Sequence, residues 1–251
     1  MWLPGLIKLF IWRMNRLWRN GAPPEEQAKV AASYVRLRPK DPRGWALQGN
    51  ALIRADRFEE GEQVLRRGLA LHPGSDPDLG WLLARALTNQ SRFDEARTLL
   101  AQQAETFSES RLPSLGFAEV ALRQRRVNEA LTFLDEALAR TGGVDHAGKW
   151  EAAVLLALIP AGRDRAEILL REIIDARPNH AQSHELFGSL LRRRGDPKST
   201  QHLDRARALW KSPIDFDKFV EESTRALGNF ERDPHGGGSA DQPGTADVEK
   251  G

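Results

Sequence analysis

His180 and His184 stand one helical turn apart in the stretch HAQSHE, and side chains at that spacing share one face of a helix, from which two imidazoles could ligate a metal. The acid that a zinc-protease helix carries between its histidines is missing, so the pair reads as two polar residues near a helix start, facing solvent. Arg192-Arg193-Arg194-Gly195 has cations enough for a phosphate, yet cations in a last turn favour the helix dipole and the glycine closes the helix. His235-Gly236-Gly237-Gly238 is glycine-rich but follows no strand and opens no helix, so it lacks the setting of a phosphate-binding loop and reads as linker. No nucleophile, base and orienting acid converge. The chain is expected to be no enzyme, with no catalytic residue, no metal and no cofactor.

Composition narrows the classes further. The 251 residues include 37 Lys and Arg against 35 Asp and Glu, a net charge of +2, which argues against a nucleic-acid partner. The absence of cysteine excludes disulfides, thiolate nucleophiles and Cys-zinc sites. Hydrophobic residues make up 40% of the chain, enough for a helical core.

What must position any surface is a repeat. Arg57-Phe58-Glu59-Glu60-Gly61 recurs as Arg92-Phe93-Asp94-Glu95-Ala96, then as Arg126-Val127-Asn128-Glu129-Ala130 and Arg163-Asp164-Arg165-Ala166, at steps of 35, 34 and 36 counted at the small residue. Apolar residues between these marks recur at three and four, the spacing of one helix face. Prolines and glycines punctuate the pattern at Pro23-Pro24, Asp41-Pro42, Pro73-Gly74, Gly142-Gly143, Pro160-Ala161-Gly162 and Gly195-Asp196-Pro197. The spacing predicts helices over 5–19, 25–37, 42–55, 58–71, 77–89, 92–106, 111–124, 127–140, 146–159, 163–176, 181–194, 198–210 and 214–227.

Trp45, Gly49, Leu52, Gly61, Leu65, Gly68 and Pro73 carry the best copy, in which small residues let helices approach and Trp45, Leu52 and Leu65 fill the space between them. At these residues the chain resembles the tetratricopeptide repeat family over 25–210, although Gln48 stands where leucine is usual and Leu52 where tyrosine is usual. The resemblance implies an all-α fold, a right-handed α-solenoid of stacked antiparallel helix pairs over 21–228. It also implies that first helices line a concave surface used for peptide binding.

In that register the inward stripe reads Arg43, Ala46, Asn50, Arg54; Asp78, Trp81, Arg85, Asn89; Leu112, Leu115, Glu119, Leu122; Glu151, Leu155, Leu158; and Gln182, Glu185, Ser189, Arg192. Arginines and amides beside an indole suit carboxylates and peptide backbone, and leucines suit an apolar anchor. The expected groove residues are Arg43, Asn50, Arg54, Trp81, Arg85, Asn89, Leu115, Glu119 and Leu122, and the expected partner is a protein segment with acidic and apolar residues. The bland alternative is that the arginines form a solvated face and the leucines pack internally. Chaperone-binding members of the family clamp a terminal carboxylate, but only Asn50 matches that clamp; Ala46, Leu82, Leu112 and Gly116 occupy its other places.

Residues 1–20 hold four cations, no acid and three tryptophans. Trp2, Leu6, Phe10, Met14, Leu17 and Trp18 form an apolar side that could lie in a membrane interface, while the apolar run is too short to span about 30 Å of hydrocarbon. The same helix could instead cap the stack. Residues 229–251 are polar, glycine-rich and acidic, and are expected to be a disordered tail. The expected function is a protein–protein adaptor, cytoplasmic, with peripheral attachment at the inner membrane face left open. The alternative is a membrane-associated assembly or maturation factor serving as a non-catalytic subunit of an enzyme complex.

Overall fold

The computed structural model describes residues 23–142 and 145–210. Among them are eleven α-helices and no strand: α1 Pro24–Leu37, α2 Pro42–Arg54, α3 Phe58–Leu71, α4 Pro77–Asn89, α5 Phe93–Thr106, α6 Leu112–Arg123, α7 Val127–Ala139, α8 His146–Leu158, α9 Arg163–Ala176, α10 Ala181–Arg193 and α11 Lys198–Leu209. The expected helices over 5–19 and 214–227, and the acidic tail, lie outside the described residues.

Starts and stops are set by local chemistry. Proline occupies the first turn of α1, α2, α4 and α6, where its missing N–H costs nothing. Asp41 and Asp76 cap α2 and α4 by accepting from the backbone N–H of Arg43 at 3.1 Å and of Asp78 at 2.9 Å. The second helices begin without a side-chain cap; instead Arg57, Arg92 and Arg126 pair forward with Glu60, Glu95 and Glu129 in the first turn. Between them α2, α4, α6 and α10 all end in the same doubly bonded turn. In α2 the N–H of Arg57 reaches Leu52 O at 3.0 Å and that of Asp56 reaches Ile53 O at 3.1 Å, with Asp56 left-handed at φ 56°.

Packing follows the repeat seen in the sequence. Gly61, Ala96, Ala130 and Ala166 are all buried, and Leu65, Leu100, Leu134 and Leu170 have no exposed surface. A Cβ at Gly49 would lie 2.4 Å from Leu65 Cγ, and one at Gly116 would lie 2.4 Å from Leu100 Cδ2, so these glycines are what lets the leucines sit between helices. Trp45 is only half-buried and donates its Nε1–H to Pro39 O at 2.9 Å, so its indole is less enclosed than its place in the pattern implies.

Each helix packs on its sequence neighbours, and each first helix also packs on the next: α2 on α4, α4 on α6, α6 on α8, α8 on α10. The second helices make no comparable contact with one another, so the row of first helices is the shorter, inner side of the curve. This is a right-handed α-solenoid of antiparallel helix pairs.

Candidate functional site

The inner side has its charged centre at Arg85. One turn along α4 from Trp81, its guanidinium stacks over the indole at 4.3 Å from the ring centroid. Its Nε donates to both oxygens of Glu119 at 3.0 Å, its Nη2 also meets Glu119, and Nη2 lies 3.4 Å from Glu151 Oε2. Three successive pairs are thereby joined through α4, α6 and α8. The Arg85, Glu119 and Glu151 side chains are 22%, 11% and 30% exposed, so water reaches the network only at its edge.

Two carboxylates share one guanidinium. Burial works against the charge on Arg85, but Glu119 and then Glu151 outweigh it, and the guanidinium is held protonated more firmly than an ordinary arginine. Glu151 has the weaker share: burial pushes its carboxyl above the ordinary value, the Glu119 charge adds to this, and Arg85 offsets only part.

The structure corrects several groove assignments. Arg85, read as a cation on offer to ligand carboxylates, is already neutralised by residues 34 and 66 positions away. Leu115 and Leu122 lie in the core at 1% and 4% exposure, and Leu112 and Leu155 are buried with them, because α6 and α8 are sandwiched between neighbouring helices. They offer no apolar anchor on the surface. Trp81 is 8% exposed, and its Nε1 has no hydrogen-bond partner among the described residues.

The α2 end differs. The exposed Arg43 guanidinium grips Asp41 through Nε at 3.0 Å and Nη2 at 2.8 Å, and Tyr34 Oη donates to the same carboxylate at 2.6 Å. Those bonds, Arg43 foremost, hold the Asp41 carboxyl down at about 2. Arg54 is exposed and donates through Nη1 to Oε1 of buried Gln27 at 3.1 Å, while Asn50 is half-buried. Asn89 donates to Arg85 O at 2.9 Å and accepts from Arg123 at 3.3 Å. Of the nine expected groove residues, Trp81, Arg85, Asn89 and Glu119 thus converge. Arg43, Asn50 and Arg54 sit one helix away.

Glu151 lies in the expected stripe but outside the expected groove set. Its sign is the only signal: a carboxylate one rung beyond Glu119 on the same face as an arginine. His180 caps α10, its Nδ1 accepting from the N–H of Ser183 at 3.3 Å, and His184 is 7% exposed, which corrects the expectation that both face solvent. Among the described residues no three metal-ligating side chains cluster, and no helix is long and apolar enough to cross a membrane. Trp2, Leu6, Phe10, Met14, Leu17 and Trp18 lie outside the described residues.

Stacked pairs with a continuous inner row of first helices define a helical-repeat scaffold, a class in which neighbouring units bury each other's apolar faces. Residues 52–112 match the tetratricopeptide repeat family model, and the same packing continues on both sides of that stretch. Residues 52–112 thus carry the tetratricopeptide repeat in sequence, and the helix pairs on either side share its fold. A search of curated proteins finds no match. Among solved structures it is similar to yeast Tom70, with 16% identity and a TM-score of 0.57, covering 83% of this chain and 44% of that one. It is also similar to a thermophilic tetratricopeptide-repeat protein of Thermus thermophilus, with 18% identity, a TM-score of 0.53, and 74% and 99% of the two chains covered. PilF of Pseudomonas aeruginosa follows at 15% identity and a TM-score of 0.50, over 80% of this chain and 95% of that one. At these identities the likeness is one of fold.

Proposed function

We propose that the chain is a non-catalytic adaptor that holds an extended or helical segment of a partner protein along the inner face of α2, α4, α6 and α8. The observation that carries this reading is the Trp81–Arg85–Glu119–Glu151 network: charged, partly exposed, and placed on consecutive first helices. A segment lying there crosses the exposed residues Arg43 and Arg54, whose guanidiniums also hold Asp41 and Gln27, and then the carboxylate of Glu151, which Arg85 offsets only in part. The partner would therefore set an acidic side chain near α2 and a hydrogen-bond donor or cation near α8.

The test is partner capture with the full chain, followed by titration of the captured segment against Arg54→Glu and Glu151→Lys. Both substitutions should weaken binding, by about tenfold or more for a charge reversed at an interface, with helicity unchanged. Equal affinity for both variants and the parent would sink the groove reading.

The composition of residues 1–20 favours a second activity, attachment to an anionic membrane surface. Flotation of the full chain with vesicles containing phosphatidylserine, and its loss on removing residues 1–19, would support it. Flotation unaffected by that deletion would discard it. If the adaptor serves an enzyme complex as a non-catalytic subunit, it should co-purify stoichiometrically with a catalytic chain.

A further inference from the structure

At the far end of the stack α10 and α11 meet through two imidazoles. His184 Nδ1 lies 3.1 Å from His202 Nδ1, the rings stack with centroids 5.3 Å apart, and His184 Nε2 lies 3.1 Å from the carbonyl oxygen of Pro178. Phe187 places its ring edge-on to His202 at 4.6 Å. A carbonyl can only accept, so Nε2 of His184 carries a proton; in the neutral ring Nδ1 is then bare. The N–H between the rings must therefore belong to His202, donating Nδ1 to Nδ1.

This arrangement accepts one further proton and rejects the next. A proton added to His202 Nε2 leaves the contact intact. A second must go to His184 Nδ1, setting N–H against N–H and cation against cation at 3.1 Å. We propose that His184 and His202 form a proton-sensitive latch, which holds α11 on α10 while at least one ring is neutral and releases it when both are protonated.

The surroundings oppose that second proton. Facing the pair are Arg205 and Gln201 of α11 with Pro178, and on the other side of His202 Arg171 and Asp175 of α9, Asp196 before α11, and Lys198. His180 caps the start of α10, and Arg177 closes α9 beside it. Asp196 is engaged by the Lys198 N–H and Arg194, and Asp175 is the other carboxylate among the described residues lining that side of His202. Burial first, and then these cations, push both histidines below the ordinary value, Arg205 acting on His184, and His184, Arg171 and Lys198 on His202. The depressed group is neutral when folded and charged when unfolded. The latch is therefore whole above the ordinary histidine range, weakens as pH falls through it, and opens below the folded values. Among the described residues α11 is also held by its buried Ser199, Leu203 and Ala206, and by Arg205, which donates to Asn179 Oδ1 at 2.7 Å.

Hydrogen exchange of α11 in the full chain, corrected for intrinsic rates, tests this. Between about pH 7 and about pH 5 protection should fall by about tenfold or more in the parent. It should fall clearly less in His202→Asn, whose amide can donate to His184 Nδ1 or accept from it and cannot titrate, so that only the burial of His184 and Arg205 still act. The same fall in both proteins, or none in the parent, would overturn the latch. The nitrogen shifts of the two rings at neutral pH give a test without substitution. His184 should be protonated at Nε2 and His202 at Nδ1, and the reverse assignment would also overturn it.

Discussion

The α2–α3 pair and the α10–α11 pair use the same device, a leucine of the second helix seated over a glycine of the first, with unequal results. Leu65 over Gly49 is fully enclosed because α4 closes the other side. Leu203 over Gly188 keeps 7% of its surface and belongs to a cluster whose other members are Ala206 and half-buried Trp210. A pair in a solenoid owes its stability to the next pair as much as to itself. At α11 polar contacts join the apolar ones: the two imidazoles, and Arg205 donating to Asn179 Oδ1 at 2.7 Å.

Leucine truncation should break this comparison most visibly. Leu65→Ala is expected to cost about 4 kcal/mol and Leu203→Ala about 2 kcal/mol, since the cost follows the enclosure of the cavity left behind. Chemical denaturation of the two variants measures both, and equal losses would mean that the last pair is as well buttressed as the first. The half-buried indole of Trp45 falls between these cases.

Reversing Arg85 comes next. Arg85→Glu would put three carboxylates together on α4, α6 and α8 where one guanidinium now serves two, and should cost about 2 kcal/mol, in the range for hydrogen bonds to charged groups. Arg54→Glu, which removes a donor to buried Gln27, should cost less, about 1 kcal/mol. Thermal unfolding of the two proteins would show whether the central arginine is part of the scaffold as well as of the groove.

Acid should reveal a smaller difference at the α1–α2 junction. The folded Asp41 carboxyl sits at about 2, below its unfolded value of 3.8. Its contribution is complete above that unfolded value and is lost as pH falls toward 2, about 1–2 kcal/mol in all. Asp41→Asn should flatten stability across that window and leave the neutral-pH behaviour of α11 unaltered.

The parts of the molecule that are legible in the sequence are those set by apolar spacing. Gly61, Ala96, Ala130 and Ala166 mark the repeat, and each is buried in the helix interface it marks. The described helices fall within one residue of the expected boundaries at every end. The groove is less legible. Register places Arg85 and Glu119 on one face, but it does not show that Arg85 Nε donates to both Glu119 oxygens while Arg54, one first helix back, donates to Gln27. Leu115 and Leu122 obey the inward register and are nevertheless covered, because the helices approach more closely than a groove open at α6 would require. The histidine pair escapes the sequence for a related reason. Spacing joins His184 to His180 on its own helix, whereas its partner lies 18 residues away on the next.

The turns between paired helices carry the smallest difference. Asp56, Ser91 and Arg125 sit at φ 56°, 60° and 60°, and Gly195 sits at φ 76° in the corresponding turn after α10. A side chain in the left-handed region costs about 1–2 kcal/mol that glycine avoids, offset in part by the entropy glycine loses on folding. Asp56→Gly and Arg125→Gly should therefore each stabilise by about 0.5–1 kcal/mol, and Gly195→Ala should destabilise by about 1 kcal/mol although a Cβ there meets nothing within 4 Å. Steric crowding cannot produce that loss, so a neutral Gly195→Ala would show that backbone conformation is not what limits the last turn.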